Sequence, residues 1–68
     1  MKLYFENSMG KKRLIAEPKT EQEAMQVIKE FCKERDFKIY YTRAWKTPDG
    51  FMKYDVGSWS EFFILDNN

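Results

Sequence analysis

The chain opens on an alternation. In residues 2–6 (KLYFE) Leu3 and Phe5 alternate with Lys2, Tyr4 and Glu6, the period-two pattern of a half-buried strand. Residues 7–10 (NSMG) concentrate turn formers, and residues 11–17 (KKRLIAE) resume an extended pattern, so 2–17 reads as a β-hairpin. Its second half is less regular, because Leu14, Ile15 and Ala16 run together without alternating. Pro18, which has no N–H for a ladder, ends the strand. Thr20-Glu21-Gln22-Glu23 has the spacing of a capping box: the Thr20 side chain accepts from the Glu23 N–H, and Glu23 reaches back to Thr20. Ala24, Val27, Ile28 and Phe31 recur at helical spacing, with acids in the first turn and Lys33 and Arg35 in the last, an arrangement that suits the helix dipole. A helix over 20–35 follows.

Beyond Asp36 the period returns to two. Residues 37–45 (FKIYYTRAW) place Phe37, Ile39, Tyr41, Arg43 and Trp45 on one side and Lys38, Tyr40, Thr42 and Ala44 on the other. Their aromatic and β-branched content predicts one long strand. Thr47-Pro48-Asp49-Gly50 is a turn in which Pro48 presets φ and Gly50 relieves the exit. Residues 51–56 (FMKYDV) form the return strand, Gly57-Ser58-Trp59 interrupts it, residues 61–65 (EFFIL) form a last strand, and residues 66–68 fray. No linker or repeat divides the sequence. The expectation is a single α+β domain over 1–68 with order ββαβββ, an antiparallel sheet with one helix packed on one face.

Sixty-eight residues leave a thin margin of stability, since a domain of this size buries only about 60% of its unfolded surface. Cys32 is the lone cysteine and there is no histidine, so neither an internal disulfide nor an imidazole-based zinc site is available. The stability must come from the apolar core, and aromatic residues at 18% are its obvious source. An unpaired cysteine fits a reducing, cytoplasmic setting. The opening apolar stretch is too short for a secretory signal, and no run approaches the length of a membrane span. A net charge of +1 gives no bulk drive toward nucleic acid or anionic lipid.

Catalytic chemistry is sparse. Without histidine the usual general base is missing, and a non-enzymatic protein with no cofactor or metal is expected. Cys32, near the C-terminal end of the helix, reads as a semi-buried apolar filler. Asp55 and Glu61 read as salt-bridging or capping carboxylates, and Ser58-Trp59-Ser60-Glu61 as turn chemistry. Lys11-Lys12-Arg13 reads as a solvated hairpin edge, where lysines discourage strand addition; a phosphate-contacting edge is the other reading.

The informative feature is the surplus of rings. One helix covers one sheet face, and Leu3, Phe5, Phe37, Ile39 and Tyr41 suffice to fill it beside Ala24, Val27, Ile28 and Phe31. That leaves Tyr4, Tyr40, Tyr54, Trp45, Trp59 and one of Phe62 or Phe63 to place. Some cap the core; the remainder should form a partly exposed patch beside Arg43 and Lys46. Tyr, Trp and Arg dominate binding hot spots, so Tyr40, Arg43, Trp45 and Trp59, with Lys46 at the rim, are the candidate binding residues.

At Tyr40-Tyr41-Thr42-Arg43-Ala44-Trp45 and Tyr54-Asp55-Val56-Gly57-Ser58-Trp59-Ser60-Glu61-Phe62-Phe63, and in its opening Lys2-Leu3-Tyr4-Phe5-Glu6-Asn7, the chain resembles a group of short proteins encoded by phages and prophages of Gram-positive bacteria. The resemblance covers nearly the whole chain. It implies a small protein working in the cytoplasm of a bacterial host, where such proteins bind and modify host proteins, including defence systems such as CRISPR nucleases. The first functional expectation is therefore a binding protein directed at a bacterial host protein. The alternative is a nucleic-acid binder in which Tyr40 and Trp45 stack bases and Lys11, Lys12, Arg13 and Lys46 meet phosphates; near-neutral charge disfavours it. A homodimer with a structural role in phage assembly is the third.

Overall fold

The computed structural model describes residues 1–67. Its elements follow the expected ββαβββ order: β1 (Lys2–Glu6), β2 (Lys12–Ala16), α1 (Glu21–Glu34), β3 (Arg43–Lys46), β4 (Met52–Asp55) and β5 (Phe62–Asp66). The five strands form one antiparallel sheet ordered β2-β1-β5-β4-β3. Two hairpins, β1–β2 and β3–β4, are thus joined by β5 between them. Asp66, expected to fray, instead pairs with Lys2 in the ladder; Asn68 lies outside the described residues.

The register assigns each face. Leu3 and Phe5 align with Leu65 and Phe63, and these with Met52 and Tyr54. This is the face that α1 covers. The helix buries Ala24, Ile28 and Cys32, spaced four apart, and packs Val27 and Phe31 beside them. Cys32 therefore sits inside the buried stripe rather than half-buried at its margin. Phe5, Phe31 and Phe63 meet with ring centroids 4.9–5.6 Å apart. Such contacts contribute about 0.5–1.5 kcal/mol each beyond the area they bury.

The irregular second strand has a cause. Leu3 aligns with Ala16 but Tyr4 with Leu14, so Ile15 is an extra residue in a bulge. The bulge lets Ile15 and Ala16 both pack against the core while Leu14 turns to the opposite face.

The helix ends are well determined. Thr20 is extended and its Oγ1 accepts from the Glu23 N–H at 3.1 Å. Glu23 reaches one residue further back than the sequence motif suggests, accepting from the Lys19 N–H at 2.8 Å. At the other end Asp36 takes φ 56°, Phe37 donates to the Cys32 carbonyl at 2.8 Å and Asp36 to Lys33 at 3.1 Å. This is a Schellman cap with an aspartate where glycine is usual.

The expected nine-residue strand 37–45 is not formed; only Arg43–Lys46 joins the sheet. Residues 37 and 39 stay half-buried and 38 and 40 exposed, so the alternation is real but lacks a ladder. The reason lies in the partner. β4 stops at Asp55, and Gly57 at φ 101° turns the chain away, leaving one bridge from the Tyr40 N–H to the Val56 carbonyl at 3.2 Å. Tyr41, assigned to the core from its spacing, is consequently 47% exposed.

Replacing Thr20 by Ala should remove the cap at a cost of about 1 kcal/mol, read as a lowered denaturation midpoint with unchanged slope.

Candidate binding surface

β3 is an edge strand, and every residue in it is exposed. Its register with β4 decides which way its side chains point. Arg43 aligns with Asp55 and Trp45 with Lys53, on the face away from α1, whereas Lys46 aligns with Met52 on the helix side. The candidate residues therefore do not form one cluster. Arg43 and Trp45 share the outer face; Lys46 stands at the far end of β3 and on the other side.

Asp55 organises the near end. Its side chain is 8% exposed; one oxygen accepts from the Gly57 N–H at 2.9 Å and the other from Arg43 at 2.9 Å. The Gly57 N–H first, then Arg43 and the Tyr41 hydroxyl, hold this carboxyl below its ordinary value of 3.8, against the burial that pushes it up. The Arg43 guanidinium in turn lies 5.2 Å from the Tyr41 ring. Tyr40 takes the other direction. It packs its Cβ where a side chain on Gly57 would stand, 3.1 Å away, and meets Phe37 edge-on at 6.3 Å.

Gly57 leads into the β4–β5 loop. Ser58 accepts from the Glu61 N–H at 3.2 Å, and Glu61 pairs with Arg35 at 3.4 Å. Asp55 and Glu61 are thus each engaged with a separate arginine rather than with one another, the salt-bridging roles expected of them. Between Ser58 and Glu61, Trp59 is wholly exposed.

Of twelve aromatic residues, Tyr40, Tyr41, Trp45 and Trp59 are the four left exposed, at 68, 47, 41 and 100%. Tyr54 and Phe63 are core. Phe62 is half-buried on the outer face, under the Lys53 ammonium at 4.2 Å and edge-on to Trp45 at 6.5 Å. Lys53 also pairs with Glu6 at 3.3 Å, so charged side chains cover part of this second face. Tyr41, absent from the expected site, belongs to it; the broken strand, which spacing does not reveal, exposes it.

The basic cluster lies elsewhere. Lys11, Lys12 and Arg13 sit on or beside β2, the opposite edge of the sheet from β3. Four strand spacings, roughly 19 Å, separate the two edges. Burial pushes the Cys32 thiol pKa up, with Arg35 opposing and Glu61 assisting, which keeps it protonated and unreactive at neutral pH. Among the described residues no three His, Cys, Asp or Glu side chains converge to hold a metal ion, and no helix is long and apolar enough to cross a membrane.

No protein-family model, curated protein or solved structure matches this chain.

Gly57→Ala should cost about 1–3 kcal/mol, because a side chain at this positive φ is strained and also presses on Tyr40; thermal denaturation reads the loss. A second outcome concerns acid. Folding lowers the Asp55 pKa, so its stabilisation is complete above the ordinary carboxylate value and is lost as pH falls through the folded one. Between about pH 4 and pH 2 the thermal midpoint of Asp55→Asn should therefore fall less than that of the parent protein.

Proposed function

We propose that this chain is a small non-enzymatic binding protein that acts by occupying a surface of a bacterial host protein. One observation carries the reading: Tyr40, Tyr41, Trp45 and Trp59 remain exposed, in β3, the segment leading into it and the β4–β5 loop. Aromatic side chains bring large contact area and few rotatable bonds, and exposed groups of them mark interaction sites. Arg43, laid on Tyr41 and fixed by Asp55, adds the guanidinium that such sites favour. The outer edge of β3 adds unpaired backbone groups able to accept a partner strand.

The resemblance to phage-encoded proteins supports a host protein as the occupant, with defence enzymes such as CRISPR nucleases as the class it implies. Trp45 on β3 and Lys11-Lys12-Arg13 on or beside β2 stand at opposite edges of the sheet, which disfavours a single surface that stacks bases on the one and neutralises phosphates at the other.

Trp59 gives the cleanest test, since a fully exposed ring contributes little to folding. Trp59→Ala should keep stability within about 0.5 kcal/mol. It should weaken capture of the partner from host lysate by about 2 kcal/mol, roughly 30-fold. Undiminished capture by Trp59→Ala and Trp45→Ala, or affinity for DNA at low salt in their place, would overturn the reading.

A further inference from the structure

A cleft opens where the C-terminal end of α1, the β1–β2 hairpin and the β4–β5 loop converge. It has two adjoining parts, which share Phe5, Phe31, Arg35 and Glu61 in their walls. The first is a slot of about 120 Å³ with Phe37, Val56 and Phe63 among its apolar lining. A cavity of about 150 Å³ holds a benzene ring, so this slot suits a branched aliphatic group. The second is an open groove of about 550 Å³ that runs out past Lys11 and Arg13.

The charge along this groove is one-sided. Arg35 lies 4.7 Å from the Phe5 ring and 5.5 Å from Phe31, and Arg13 lies 5.9 Å from the same Phe31. The two guanidiniums therefore flank one ring. Glu61 is the lone carboxylate lining the groove, and it is committed to Arg35. Among the described residues neither Lys11 nor Arg13 has an ion-pair partner. Lys12 also borders the groove, but its ammonium sits 5.7 Å from the Phe51 ring and its register with Glu6 turns it to the outer face. Asp36 and Glu61 border the slot, so an anion is directed outward, to the groove.

We propose that this cleft takes a partner segment carrying a branched aliphatic side chain beside a carboxylate, the aliphatic group in the slot and the carboxylate against Lys11, Arg13 and Arg35. The proposal rests on the protein-binding reading above and names the chemistry of the contact. Trp59, wholly exposed, lies between slot residues Ser58 and Glu61 in the chain. The arginines, already stacked on rings, meet a carboxylate with little further ordering.

N-acetyl-leucine presents both groups and serves as the probe, followed by amide chemical shifts of the intact protein. It should move the signals of Arg35, Phe37, Val56 and Ser58 with millimolar affinity. N-acetyl-leucinamide, lacking the charge, and acetate, lacking the isobutyl group, should each bind at least tenfold more weakly. Arg13→Glu, an exposed edge substitution, should weaken the probe about tenfold while leaving the remaining spectrum in place. Inorganic phosphate binding as well as N-acetyl-leucine would overturn the proposal by showing a site that reads charge alone, and so would the absence of any shift. Partner capture that depends on Trp59 would survive such a failure, which separates the loss of this proposal from the loss of the protein-binding reading.

Discussion

The Asp55 carboxylate is the point at which sheet, loop and exposed edge are tied together. One oxygen holds the Gly57 N–H and the other holds Arg43, so a single side chain ends β4, fixes the turn that follows and anchors the first residue of β3. Little of its side chain reaches solvent, so those bonds take the place of water on both oxygens. The exposure of Tyr41 follows from the same bond, since the ladder stops where Asp55 bends the backbone.

The distribution of rings reflects what one helix and five short strands can cover. Phe5, Phe31, Phe63 and Tyr54 fill the space under α1, and Arg35 closes its end by lying over two of them. On the outer face the Lys53–Glu6 pair and the alkyl stems around it cover Phe62, and Ile64 is 3% exposed there without any second layer of secondary structure. The cover is thinner over β3 and the loop before β5: Tyr41 stays exposed beneath Arg43, Trp45 beside Phe62, and Trp59 entirely so. These rings face water in a protein whose thin margin of stability leaves little room for apolar surface without a use.

Much of this was legible beforehand. The helix was written in the Thr20 cap and the 24-28 spacing, both hairpins in their turns, and the ring surplus in simple counting. What escaped were features set by a partner in space. The nine-residue alternation of 37–45 promised a strand, but a strand is only as long as its neighbour, and Asp55 and Gly57 shorten that neighbour from outside the segment. The bulge at Ile15 was visible as broken alternation but not as a bulge. The split of the candidate site, with Lys46 turned from Arg43 and Trp45, is a matter of register that composition does not carry. Capping by Asp36 in a left-handed conformation was equally hidden, since glycine is the usual signal.

The placement of β5 has a consequence for how the molecule holds together. It is the middle strand, and Phe63, Ile64 and Leu65 are three consecutive buried residues that serve both faces. The two ribbons on either side are joined to each other in the sheet through it alone, and an isolated two-stranded ribbon is marginal in water. Opening therefore cannot be graded from one edge to the other: once β5 detaches, both halves lose their footing together. The ladders on either side of β5 therefore open in one step, which releases both ribbons at once.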